Sequence, residues 1–181
     1  MKHITLITGG IKSGKSSYAL KLAHETGANR AFIATAEAFD EDMKARIARH
    51  RGERGADFHT IEEPLDLVAA LKNADGCFDC IVIDCLTLWL NNLYLNFAVD
   101  GKIEETAILS FRQALSEVRT PVIIVTNEVG LGIIPVDAAA RHYMDHLGRL
   151  NAQIASLADD VMFMISGIPQ KIKGITHVPI S

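Results

Sequence analysis

A chain of 181 residues with 49% hydrophobic and 22% charged residues has the size and make-up of one globular domain, not of a disordered or fibrous chain. Its net charge of -4 argues against general nucleic-acid binding, which needs an excess of Lys and Arg to meet the phosphate backbone. Apolar runs such as Val122-Ile123-Ile124-Val125 fall far short of the roughly 18 residues of a membrane span. No signal-peptide pattern precedes the first glycines, and three cysteines make no disulfide framework, so the expected setting is the reducing cytoplasm.

Strand-like and helix-like patterns alternate along the chain. Residues 4–8 read as a strand, 16–26 as a helix, 30–35 as a strand and 40–54 as a basic helix. Residues 64–72 read as a helix with Pro64 in its first position, followed by a strand at 80–84 and a helix at 86–97. A surface turn is expected at 98–101, then a helix at 103–118, a strand at 122–126, a helix at 137–158 and a strand at 161–166. Such alternation, with strands apolar along most of their length, implies an α/β domain with a mostly parallel sheet covered by helices on both faces. One domain is expected over residues 1–181, since neither a linker nor a repeat interrupts the pattern.

Between the first strand and the first helix stands Gly9-Gly10-Ile11-Lys12-Ser13-Gly14-Lys15-Ser16, which fits the phosphate-binding pattern G-x-x-x-x-G-K-[ST]. The glycines let backbone amides curl around phosphate, and the helix start directs its unpaired amides at the same anion. Lys15 is expected at the outer phosphates and the Ser16 hydroxyl at magnesium. Asp84 ends the apolar run Ile81-Val82-Ile83, as a magnesium-orienting carboxylate does; ahead of Leu86 it also reads as a helix cap.

The helix at 40–54 begins with Asp40, Glu41 and Asp42 and gathers Arg46, Arg49, Arg51 and Arg54 toward its end, which complements the helix dipole. His50 shares a face with Met43 and Ile47. It reads either as a histidine packed at the edge of a core or as a nucleophile toward phosphorus among phosphate-neutralising arginines. Cys77, Cys80 and Cys85 lack a fourth ligand at zinc spacing. His142 and His146 lack the glutamate of a zinc-peptidase motif and read as a solvated or interface pair, and Trp89 reads as core or a subunit contact. Asn127 and Glu128 follow a buried strand, where open α/β sheets bind ligands.

Taken together, Arg46-Ile47-Ala48-Arg49-His50-Arg51, Glu62-Glu63-Pro64-Leu65, Asp84-Cys85-Leu86-Thr87, Thr126-Asn127-Glu128-Val129-Gly130 and the phosphate loop resemble the bifunctional adenosylcobinamide kinase / adenosylcobinamide-phosphate guanylyltransferase family of cobalamin biosynthesis. The resemblance extends over nearly the whole chain. It implies a three-layer, RecA-like P-loop NTPase fold and two reactions: phosphorylation of adenosylcobinamide with ATP or GTP, then transfer of GMP from GTP through a guanylylated histidine to adenosylcobinamide phosphate. On this chain that histidine falls on His50. The nucleotide contacts fall on Gly9, Gly10, Ile11, Lys12, Ser13, Gly14, Lys15, Ser16, Ala34, Thr35, Ala36, Arg51, Gly52, Glu53, Arg54, Glu62 and Asp84. A homotrimer is likewise implied by the resemblance alone. Lys12 stands where the family often has arginine, and Arg49 stands beside His50 where some members have a second histidine. A single-activity P-loop kinase and a nucleotide-dependent switch protein are the alternatives; a nucleophilic histidine serves neither.

Overall fold

The computed structural model describes residues 2–38, 40–97 and 102–174. These form a sheet of seven strands with helices on both faces. In chain order the elements are β1 (Ile4–Gly9), α1 (Lys15–Thr26), β2 (Arg30–Ala34), α2 (Glu41–Arg54), β3 (Phe58–Glu62), α3 (Leu67–Ala74) and β4 (Cys80–Asp84). There follow α4 (Leu86–Phe97), α5 (Lys102–Glu117), β5 (Val122–Val125), α6 (Ala138–Leu157), β6 (Asp160–Ile165) and β7 (Ile168–Lys173). The strand order is β3-β2-β4-β5-β1-β6-β7; β1 to β6 are parallel and β7 returns antiparallel to β6.

Alternation of side chains across the pleat divides the core in two. Ile4, Leu6, Ile33, Ile81, Ile83 and Ile124 face α3, α4, α5 and α6, where Leu71, Trp89, Phe111, Leu147 and Leu150 pack. Ile7, Phe32, Val82, Ile123 and Val125 face the other way, toward Ala19 and Ala23 of α1. Each fully buried Leu, Ile or Phe contributes about 1.5–3 kcal/mol, so the sheet interior is the main source of stability. Trp89 is fully buried, and its Nε1 donates to the Leu65 carbonyl at 2.8 Å, which places it in the core.

Two strands were not expected. β3 is an edge strand whose sequence, Phe-His-Thr-Ile-Glu, is half polar; β7 is the opposite edge, mostly exposed, and contains Pro169. The predicted helix start at Pro64 is also corrected. The Glu63 carboxylate accepts from the Leu65 and Asp66 amides, making a turn, and Asp66 then caps α3 by accepting from Ala69 N at 3.0 Å. Asp40 and Asp137 cap α2 and α6 in the same way. His146 meets Tyr94 of α4 through a 2.5 Å contact between Nδ1 and the phenol oxygen, while His142 is exposed. The turn expected at 98–101 lies outside the described residues. Among the described residues, no helix is long and apolar enough to cross a membrane.

Candidate active site

The loop after β1 is shaped by backbone geometry that few residues allow. Gly9 has φ +146°, and a Cβ there would stand 2.5 Å from the Met164 carbonyl oxygen, so a side chain is excluded sterically as well as conformationally. Gly14, at φ +92°, begins α1 without a side-chain cap and leaves the first helical amides to serve an anion. The loop closes through Ser13 N to Gly10 O at 3.3 Å, and the turn between β6 and β7 supports it through Gly167 N to Ser13 O at 3.0 Å. Lys15 is buried inside this curl. Its Nζ donates to Gly10 O at 2.5 Å and lies 3.5 Å from Ser13 Oγ, so the ammonium is held where the loop's amides converge.

Asp84 ends β4 beside this loop. Burial pushes its carboxyl above the usual range, opposed by a hydrogen bond from the Ser16 hydroxyl and by the charges of His50, Lys15 and Arg54. Five side chains from three elements, α1, α2 and β4, thus converge on one point. A cavity of about 390 Å³ is lined here by Ile11, Lys12, Ser13, Gly14, Lys15 and Ser16, by Arg49 and His50 of α2, and by Asp84 and Asn127. A second, narrower cavity of about 60 Å³ adjoins it on the α2 side, lined by Ala34, Ala36, Met43, Ile47, Arg54 and Glu62 with Phe32 and Leu88. Ser16, His50, Asp84 and Cys85 line both cavities.

In the second cavity the Arg54 guanidinium lies 4.1 Å over the Phe32 ring, a cation–π contact in a nearly closed setting. Arg51 pairs with Glu62, tying α2 to the end of β3. The hydrophobic face of α2, Met43 and Ile47 beside His50, therefore covers a cavity next to the phosphate loop; it is not merely the edge of the main core.

Not every predicted contact lines these cavities. Thr35 is fully buried, and its hydroxyl donates to Cys85 O and accepts from Cys85 N, both at 2.8 Å, so it braces the end of β4. Gly9 and Gly10 shape the loop from behind, and Gly52 and Glu53 lie in the last turns of α2. Glu128 folds back to accept from Gly130 N at 2.9 Å. Residues the sequence reading left out are Phe32 and Leu88, which read as ordinary core, and Gly167, whose contact with the loop crosses most of the chain. Cys85 is an apolar wall, since burial pushes its thiol up to about 12 and keeps it protonated.

A parallel sheet whose first strand feeds a phosphate loop, with a lysine inside the loop and a carboxylate on a neighbouring strand, defines a P-loop nucleotide-binding protein of RecA-like fold. The solved structure of the RadB recombinase shares this fold alone, with a TM-score of 0.50 and 19% identity over 89% of this chain and 73% of that one. Residues 5–172 match the family described as cobinamide kinase / cobinamide phosphate guanyltransferase, and the chain belongs to it. It is 43% identical over 172 residues to the bifunctional adenosylcobalamin biosynthesis protein CobP of Pseudomonas aeruginosa, covering 93% of this chain and 96% of that protein. It is 35% identical to CobU of Salmonella typhimurium over 181 residues, covering 93% of this chain and 98% of that protein.

Proposed function

We propose that this one domain catalyses both reactions of its family, with the triphosphate of ATP or GTP held by the loop from Gly9 to Ser16 and with His50 as the guanylylated residue. The observation that carries this reading is that His50 lines the same cavity as Lys15, Ser16 and Asp84. A simple kinase has no use for an imidazole in that position.

In the kinase reaction the hydroxyl of adenosylcobinamide's aminopropanol arm attacks the γ-phosphorus. The bond to the bridging oxygen breaks, the nucleoside diphosphate leaves and the hydroxyl proton is released. Lys15 and the amides at the start of α1 stabilise the charge on the phosphoryl oxygens. In the transferase reaction a His50 ring nitrogen attacks the α-phosphorus of GTP and pyrophosphate leaves. A phosphate oxygen of adenosylcobinamide phosphate then displaces His50, giving adenosylcobinamide-GDP. Splitting the transfer in two lets one cavity serve consecutive substrates. Arg49 and Arg54, which line the two cavities, neutralise phosphate charge around His50.

The Ser16 hydroxyl and the Asp84 carboxylate are hard oxygen donors already in contact, a set that fits a small hard cation, and these two residues would hold magnesium. Magnesium, when bound, offsets the negative charge of the phosphates. Assembly as a homotrimer in the cytoplasm belongs to the same reading. Support for assembly comes from the loop after β5, where Leu131, Ile133, Ile134 and Val136 are all exposed, the last at 97%.

The test is incubation of the protein with magnesium and GTP labelled on the α-phosphate, followed by denaturation. Acid-labile, alkali-stable label on the wild-type chain, absent from His50→Ala, is the expected result. No label under conditions where GTP binds overturns the transferase assignment and leaves a P-loop kinase.

A further inference from the structure

Asn127 lines the phosphate-loop cavity and not the one beneath α2. β5 lies between β1, which feeds the loop, and β4, which carries Asp84; Val125 pairs with Ile7 on one side and with Asp84 on the other. Two residues further on, Asn127 therefore stands at the strand ends between the loop and Asp84. β2 and β3 lie beyond β4, and α2 is the connection between them.

The main chain of Asn127 is fixed from both sides. Its N–H donates to Thr87 Oγ1 of α4 at 2.9 Å, and its C=O accepts from Asn151 Nδ2 of α6 at 3.0 Å. Asn151 is itself oriented, its Oδ1 accepting from the buried Thr126 hydroxyl at 2.7 Å. The Thr87 carbonyl accepts from Tyr143 at 2.8 Å. A buried polar network in which each of these groups is satisfied holds one geometry. What it presents to the cavity is the Asn127 carboxamide, which forms no hydrogen bond of its own among the described residues.

We infer that Asn127 is a catalytic residue of the kinase step, and that Thr87 and Asn151 are positioning residues acting through it; the inference rests on the functional reading above. The carboxamide oxygen accepts from the acceptor hydroxyl while the NH₂ group donates to a γ-phosphoryl oxygen, which aligns the two without taking the proton. His50 attacks from α2, the opposite flank of Asp84, and so depends less on Asn127.

The experiment compares Asn127→Ala, Thr87→Val and Thr87→Ser for steady-state phosphorylation of cobinamide and for labelling of the chain by α-labelled GTP, with thermal midpoints taken alongside. Asn127→Ala is expected to lower the kinase kcat roughly 100-fold with nucleotide KM little changed, and to slow labelling at least about tenfold less than that. Thr87→Val should lower kcat in the same direction, and Thr87→Ser should restore it. A wild-type kinase kcat in Asn127→Ala, or equal losses in both reactions, overturns the inference. Failure of the wild-type chain to phosphorylate cobinamide overturns the functional reading itself.

Discussion

His50 on α2 and Asp84 at the end of β4 line both cavities, and the charge of His50 acts on the Asp84 carboxyl. On the proposed reading, this shared wall lets one phosphate loop serve two chemistries, because the His50 imidazole and the loop lysine reach the same space from different elements. It also separates their failures. His50→Ala should abolish GTP-dependent labelling and adenosylcobinamide-GDP formation, by roughly a thousandfold or more, while cobinamide phosphorylation continues. Loss of both reactions in a folded variant would contradict divided roles.

Lys15 has no such partition. Its ammonium is anchored to Gly10 O inside the loop, which on the proposed reading holds the nucleotide of either reaction. Lys15→Ala should therefore slow both reactions, each by about 100-fold, the typical loss for one donor to a developing negative charge. The fold should persist, since the anchor belongs to the loop and not to the core. Initial rates of both reactions, with a thermal scan, check this.

Much of this site was legible because it is linear. The loop motif, Asp84 at the end of an apolar run and His50 among arginines are each read from adjacent residues, and the five central parallel strands announce themselves by being apolar on both faces. β3 and β7 escaped because an edge strand has one neighbour and needs little apolar surface; Gln170, Lys171 and Lys173 give no strand signal. The second cavity was illegible for another reason. It exists only because α2 lies over Phe32 of β2 and Glu62 of β3, a tertiary placement with no local pattern. Thr35 shows the converse: the resemblance assigns it to the nucleotide, yet the structure uses its hydroxyl on the Cys85 peptide.

Asp75 gives a pH prediction. Burial pushes its carboxyl up, but the Thr120 and Arg119 amides, the Thr120 hydroxyl and the Arg119 guanidinium together hold it below the ordinary range. A carboxyl lowered on folding contributes stability that is fully present above its unfolded value, about 3.9, and is lost as pH falls through the folded value. Asp75→Asn, which keeps the shape and removes the charge, should thus be less stable than wild type at pH 6. The difference should shrink below about pH 4. Urea midpoints across pH 3–7 test this, and a constant difference would show that the charge of Asp75 contributes nothing.

Gly9 and Gly52 make opposite predictions for one substitution. At Gly9 the backbone is at φ +146° and an added Cβ would stand 2.5 Å from Met164 O and 2.9 Å from Ser13 Oγ, atoms of a buried strand and of the loop itself. Gly9→Ala should therefore cost roughly 2 kcal/mol, a fall in Tm of about 4–8 °C, and weaken nucleotide binding as the loop shifts. Gly52 lies within α2, where an added Cβ meets nothing within 4 Å. There alanine lowers the entropy of the unfolded chain without a clash, and Gly52→Ala should stabilise by about 0.5–1 kcal/mol. Thermal scans with and without GTP separate the two effects: ligand-induced stabilisation should be reduced in Gly9→Ala, and equal changes in both variants would remove the steric account of the loop.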